Sequence, residues 1–292
     1  MLRATFRDAV AASLSEALAE GHGRYLLVDA AALDGAGLGT ALPLQGEVVD
    51  LLALAPLKDW RDTAAPLLFP LQTGRWSAGA LAAWRSVADR WRHANALTYI
   101  ESVLDQHAMA AALASRQRAM LTGGMPVLLR YFDNRVFSVL MQVLVAEQRA
   151  ELLAPGHCWV HADRSGRACV HAAERPCVDQ AQRLTMTAEQ EAALIKAAEA
   201  DAVIDQLLNQ RHPQLLALLP PDQHEAVSLA LEAATAHGLA GNPEQVAFSS
   251  LALALGAGFD QQAPWATLLA DAKAGRQPFL KGLARMVTEG TS

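Results

Sequence analysis

The spacing of the apolar residues changes once along this chain, near residue 180, and this change limits the possible folds more than any other feature. Before it, short apolar runs such as YLLVDAA alternate with stretches of helical periodicity, and such runs are typical of buried strands. After about residue 175 only helical spacing occurs, and we expect no strand there. The predicted fold class is α+β: an α/β N-terminal lobe with a mixed sheet and flanking helices over residues 1–180, then an all-α C-terminal helical lobe over residues 181–292.

Local signals place the elements of the N-terminal lobe. The runs YLLVDAA, GEVVDLLAL, PLLFPL and ALTYIES predict strands, MPVLLRYF predicts the most convincing buried strand, and CWVHA-DRSG-ACVHA predicts a hairpin. Apolar residues four apart predict a first helix over residues 2–20. Ser77, Ser102 and Asp133 are suited to cap the helices that follow them, the second of which is expected to reach about residue 120.

Helix signals are denser in the C-terminal lobe. Thr187 and Gln190 form a T-x-x-Q capping box, which predicts a long helix. Two more helices are expected to end at Gly238 and near Gly256, and two short ones to begin after residues 264 and 278.

Composition excludes several classes of protein. A chain that is 52% hydrophobic and 18% charged is not intrinsically disordered. The formal net charge of −6, without a basic stripe, argues against nucleic-acid binding. The uncharged stretch 245–259 is shorter than the roughly 20 residues that a membrane span needs, so no membrane insertion is expected. A charged N-terminus and three cysteines predict a cytoplasmic protein without a secretory signal.

A cluster of histidines and cysteines between residues 157 and 177 is the main candidate for chemistry. It contains both ligand types that zinc prefers, and its members are His157, Cys158, His161, Cys169, His171 and Cys177. On a hairpin, however, Cys158 and His161 would lie on opposite faces. We therefore expect no metal and no cofactor, and a metal-dependent enzyme that uses this segment is the alternative function.

The sequence RYFDNR, residues 130–135, places two arginines around one aspartate at a predicted strand-to-helix corner. Asp133 can cap the helix and accept a bidentate arginine bond. This pattern favours a corner held by an ion pair, and the alternative is a surface that recognises an acidic group.

Several segments in order resemble the type VI secretion effector-adaptor family, the chaperone-like Tap/Tec proteins. They are YLLVDAA, APLLFPL, ALTYIESVLD, PVLLRYFDNRVFSVLMQVLVAEQRAEL and the tryptophan in CWVHADRSG. The family signature is an Arg-aromatic-aromatic-Asp-Pro-Arg run before a helix. Arg130, Tyr131, Phe132, Asp133 and Arg135 match it, and Asn134 replaces the proline. The resemblance covers residues 24–172 and, more loosely, 184–286.

The resemblance implies a non-enzymatic adaptor. Such a protein binds an effector toxin in the cytoplasm of the producing bacterium and helps to load it onto the VgrG-type spike. The residues that we assign to partner binding or to structural motifs are Arg130, Tyr131, Asp133, Arg135, Trp159, Phe248, Leu251, Phe259 and Trp265.

One C-terminal helix, around residues 246–255, carries apolar side chains on more than one face. Such a helix is either central in its bundle or covered by a partner. Residues 186–292 also hold twelve acidic and six basic side chains. We expect an apolar groove with an acidic rim, in which an effector segment docks as an amphipathic helix. The alternative is that this helix is only the core of the bundle.

Overall fold

The computed structural model describes residues 4–32, 42–54, 66–92, 94–173 and 184–290. The chain divides into two compact units, residues 1–194 and residues 195–292. The first unit combines sheets with helices and the second is helical, which confirms the predicted α+β class. The helices are α1 (Phe6–Leu14), α2 (Leu51–Leu54), α3 (Ala78–Arg90), α4 (Gln106–Ser115), α5 (Asn134–Val143), α6 (Ala146–Leu153), α7 (Ala188–Asn209), α8 (Pro213–Leu216), α9 (Pro220–Ala236), α10 (Asn242–Leu255), α11 (Trp265–Lys273) and α12 (Phe279–Gly290).

Nine strands form two sheets within the described residues. They are β1 (Gly23–Asp29), β2 (Val49–Asp50), β3 (Pro66–Leu71), β4 (Leu97–Ser102), β5 (Arg118–Met120), β6 (Pro126–Leu128), β7 (Cys158–Ala162), β8 (Ala168–Ala172) and β9 (Leu184–Thr185). The larger sheet has the order β2-β3-β1-β4-β7-β8 and is antiparallel throughout. The mixed sheet that we predicted is the smaller one, β6-β5-β9, in which β5 and β9 run parallel.

Both faces of the central strands β1, β3 and β4 are buried, which explains why these strands appear as continuous apolar runs. Leu26, on one face, belongs to a core cluster that contains Trp84 of α3 and Val10 of α1. Leu27, on the other face, belongs to a second cluster that contains Phe137 of α5 and Trp159 of β7. The period of two along a strand sends adjacent side chains to these opposite cores.

The segment MPVLLRYF differs from its prediction. Only its residues Pro126–Leu128 form a strand, at the edge of the small sheet, and their side chains are partly exposed. Leu129, Tyr131 and Phe132 are buried, but they reach the second core cluster from irregular backbone. The apolar run therefore predicts the burial of Leu129, Tyr131 and Phe132 correctly, but the prediction of one long strand is wrong. Side chains can be buried without the backbone forming the hydrogen bonds of a sheet.

Two predicted helices are shorter than expected. The first ends at Leu14 instead of residue 20. The Arg24 guanidinium donates to the carbonyl oxygens of Ser13, in the last turn of this helix, and of Glu16 beyond it. The helix expected after Ser102 begins at Gln106 and is capped by Asp105. Its expected last residues instead form β5.

Further corrections concern short segments. GEVVDLLAL contains a strand of only two residues, β2, which passes into α2. A two-residue strand, β9, lies after residue 175, where no strand was expected. The sequence also favours a connector between the two lobes over residues 175–185. Most of this connector lies outside the described residues, as does Cys177.

The predicted caps of the helical region are confirmed. The Thr187 hydroxyl accepts from the Gln190 N–H at 3.3 Å, and the Gln190 amide oxygen accepts from the Thr187 N–H at 3.0 Å. Gly238 and Gly256, which follow α9 and α10, have positive φ angles. Across the described ranges, none of the helices combines the length and the apolar character that crossing a bilayer requires.

Candidate partner-binding surfaces

The corner at RYFDNR is held by Asp133, which caps α5. Its carboxylate is buried and accepts the Arg135 backbone N–H at 2.9 Å. The Arg135 guanidinium donates to both oxygens of the same carboxylate, at 3.0 and 2.8 Å. This confirms that Asp133 acts as a cap and as the acceptor of a bidentate arginine bond.

Arg130 binds a carboxylate that lies outside the RYFDNR motif. Its guanidinium donates to Asp29 at the end of β1, with an N–O distance of 2.8 Å, and it lies over the ring of Phe132. Asp29 is 1% exposed, whereas about half of the Arg130 side chain reaches solvent. Each arginine of the motif therefore binds its own aspartate, and Arg130 links the corner to the central sheet.

The aromatic residues of the motif are interior. Tyr131 and Phe132 are buried in the second core cluster, and the Tyr131 hydroxyl donates to the Leu113 carbonyl at 2.8 Å. Trp159 is also fully buried, and its indole N–H donates to the Leu153 carbonyl at 2.9 Å. Of the N-terminal candidate residues, only the two arginines therefore present side-chain atoms to solvent.

A cleft of about 240 Å³ lies beside this corner. It is lined by residues of α1 and α3, by Asn134, and by the hairpin turn at Ser165 and Gly166. Arg7 on its wall donates to Asp8 and Asp89. The Asn134 amide is likewise satisfied, because it bonds to the Leu97 carbonyl and the Thr98 hydroxyl. The polar groups described here are thus bonded within the protein.

The hairpin β7–β8 places Cys158 and His161 on opposite faces, as the alternation predicted. Cys158 packs against the first core cluster, and burial raises the pKa of its thiol to about 11. His161 lies on the other face, in contact with Phe137 and stacked on His171 at 5.2 Å between ring centroids. Within the described ranges, no three His, Cys, Asp or Glu side chains are grouped so that they could bind a metal ion.

The helical unit contains an apolar groove of about 270 Å³. Its floor includes the buried rings of Phe248 and Phe259, whose centroids are 5.0 Å apart. Leu229 stands at its edge and is 60% exposed. The lining comprises Ala226, Leu229, Ala230 and Ala233 of α9, Phe248, Ala252 and Leu253 of α10, and the following residues Ala257, Gly258, Phe259 and Asp260.

The other two C-terminal candidates lie behind the groove. Leu251 and Trp265 pack against the core cluster that contains Phe248 and Phe259, and they do not line the groove. Sequence reasoning missed the α9 side. Small side chains at Ala226, Ala230 and Ala233 follow helical spacing, and this pattern is the signal that could have located it.

The helix α10 is also part of the bundle core. Val246 is buried in one cluster and Phe248 in another, so different faces of α10 serve two cores. Leu255 at its C-terminal end nevertheless remains half exposed. The structure thus combines the two interpretations of this apolar helix: it is central in the bundle, and a groove remains open beside it.

Acidic side chains lie on the α9 side of the groove. Asp222, Glu225 and Glu232 are exposed, and within the described residues none of them forms an ion pair. Asp260, which lines the groove, is bound to His237 at 2.9 Å. The predicted combination of an apolar groove and an acidic border is therefore present on α9.

Comparison with known proteins identifies one related domain. Residues 24–151 match the family model DUF4123, described as a domain of unknown function. No curated protein and no solved structure matches the chain significantly. The DUF4123 segment runs from β1 into α6 and includes Asp29 and the whole RYFDNR corner. The groove of the helical unit lies outside the DUF4123 segment.

Proposed function

We propose that this protein is a non-enzymatic adaptor of a bacterial type VI secretion system. In this proposal it binds an effector toxin in the cytoplasm and helps to load it onto the VgrG-type spike. The observation that carries the proposal is the match of residues 24–151 to DUF4123, because this range contains most of the ordered motifs that resemble the adaptor family.

The chemistry of the described side chains supports a binding role. In the corner, Asp29 and Asp133 are each bonded to an arginine, so these buried carboxylates hold the fold together. Burial lowers the pKa of His161 to about 3, which leaves it uncharged at neutral pH and far from the range of an efficient general base. The open apolar groove, in contrast, is the kind of surface that protein partners use.

The test is co-expression of the full chain with the toxin encoded beside it and with the corresponding spike protein. We expect the three proteins to purify together, and the yield of soluble toxin to fall when the adaptor is omitted. A toxin encoded elsewhere in the same genome serves as the control and should not be retained. Failure of the chain to bind either neighbouring product would contradict the proposal.

A further inference from the structure

We propose that the groove lined by α9 and α10 receives an amphipathic helix of the effector, with its apolar face inward and basic residues on the side of Glu225 and Glu232. This inference rests on the proposed adaptor function, because it names the surface that the partner uses. The first support is shape. From Ala226 to Ala233 the groove follows about two helical turns, roughly 10 Å along the α9 axis.

The lining suits large apolar side chains. Five alanines and one glycine leave space above the rings of Phe248 and Phe259, while Leu229 and Leu253 add apolar walls. A helix places side chains at i, i+3, i+4 and i+7 on one face, which is the pattern that apolar grooves recognise. Insertion would also cover Leu229, one of the exposed large hydrophobic side chains of the described residues.

The acidic side chains beside the groove favour a helix with basic residues. Asp222, Glu225, Leu229 and Glu232 are spaced by three or four residues and are all exposed, so they share one side of α9. These carboxylates have no cationic partner among the described residues. A bound helix with Lys or Arg beside its apolar face would supply that partner.

The same charges argue against two other occupants. Nucleic acid would be repelled by the carboxylates of α9. A second copy of this chain that used the same helix would bring Glu225 and Glu232 against their own equivalents, and like charges placed together weaken association. A basic amphipathic helix of a different protein is therefore the occupant that fits.

The first experiment uses the full chain and two labelled 18-residue peptides. One peptide has leucines on one helical face and lysines beside them, and its twin carries glutamates instead of the lysines. Fluorescence anisotropy should show at least about tenfold tighter binding of the lysine peptide, weakening as salt is added. Equal binding of the twins, or no binding of the lysine peptide, would overturn the inference.

A second experiment uses variants of this chain to locate the binding site of the lysine peptide. Leu229→Glu should weaken the binding of the lysine peptide by at least about tenfold, because the substitution removes an apolar contact and buries a carboxylate. Ile195→Glu is the matched control, since Ile195 is 66% exposed on another helix, and it should bind like the unaltered chain. The double variant Glu225→Lys/Glu232→Lys should reverse the preference between the peptides. If Leu229→Glu and Ile195→Glu bind the lysine peptide equally well, the groove is not the binding site.

Co-purification with the neighbouring toxin separates this inference from the function on which it rests. If the unaltered chain retains the toxin and Leu229→Glu loses it while Ile195→Glu does not, the groove is supported. If all three retain the toxin equally, the groove inference fails and the adaptor function stands. If the unaltered chain does not retain the toxin, the adaptor function fails, and with it the assignment of an effector helix.

Discussion

Two buried aspartates hold the RYFDNR corner, and both oxygens of each carboxylate accept hydrogen bonds. Asp133 accepts one backbone N–H and both arms of the Arg135 fork, and Asp29 accepts the Ala31 N–H and Arg130. Such bonds offset the cost of removing a carboxylate from water. The corner therefore has a structural role, and the guanidinium groups of its two arginines lie at its surface.

Replacing Asp133 tests this assignment. We expect Asp133→Ala to lower the free energy of unfolding by about 1–3 kcal/mol, since a lost cap costs about 1 kcal/mol and Arg135 is only partly buried. Asp133→Asn keeps an oxygen for capping and should cost less. Urea unfolding measures both. Unchanged stability combined with loss of the partner would make the corner a contact site instead.

At the scale of elements, the hairpin β7–β8 packs on α5 through aromatic rings. Trp159 stacks on Phe137 at 5.6 Å, and His161 Nε2 lies 3.0 Å from the Ser138 hydroxyl. That hydroxyl donates to the Asn134 carbonyl, so His161 must donate from Nε2. Its Nδ1 is buried without a hydrogen-bond partner among the described residues. Protonation there would bury a charge and an unsatisfied N–H.

This packing predicts a dependence of stability on pH. Burial lowers the pKa of His161 from 6.5 to about 3, and burial also lowers the pKa of His171. Below pH 6.5 the unfolded chain therefore binds a proton that the folded chain does not, so stability falls as the pH decreases toward 3. Between pH 7.5 and 5, we expect His161 to account for a loss of about 1–2 kcal/mol.

Urea unfolding of variants at these two pH values checks the prediction. His161→Gln should show a smaller difference between pH 7.5 and 5 than the unaltered chain. His107→Gln, at an exposed position of α4, should keep the full difference. The prediction is wrong if all three proteins lose the same stability between the two pH values.

At the scale of the whole molecule, the two units have separate buried cores. Phe137 belongs to a cluster whose buried members all lie before residue 195, and Phe248 to one whose buried members all lie after it. Both rings are almost fully buried. Each unit therefore has its own hydrophobic core, which stabilises that unit.

We expect a matched pair of substitutions to separate the two units. Phe248→Ala should cost about 3–5 kcal/mol and accelerate hydrogen exchange mainly in residues 195–290, while Phe137→Ala should do so mainly in the first unit. Hydrogen-exchange mass spectrometry at increasing urea concentration measures both. A uniform acceleration over the whole chain by either variant would show that the units unfold as one.

Features that depend on a few neighbouring residues are predictable from local patterns. The strands YLLVDAA and ALTYIES, the hairpin around DRSG, the caps at Ser77 and Asp133, and the Thr187–Gln190 box all form as predicted. In each, the signal is local: an apolar run, a turn, or a side chain that reaches a backbone group two or three residues away.

Contacts between distant parts of the chain follow from the fold and not from local patterns. Arg130 finds Asp29, which is 101 positions away, although Asp133 is the nearer acidic residue in sequence. Leu129, Tyr131 and Phe132 are buried without a strand because the core beneath them is formed by other elements. The groove likewise combines α9 with α10 and the residues after α10, and each helix alone supplies fewer than half of the lining residues. Spacing within a segment predicts which face is apolar, but the fold decides which group meets that face.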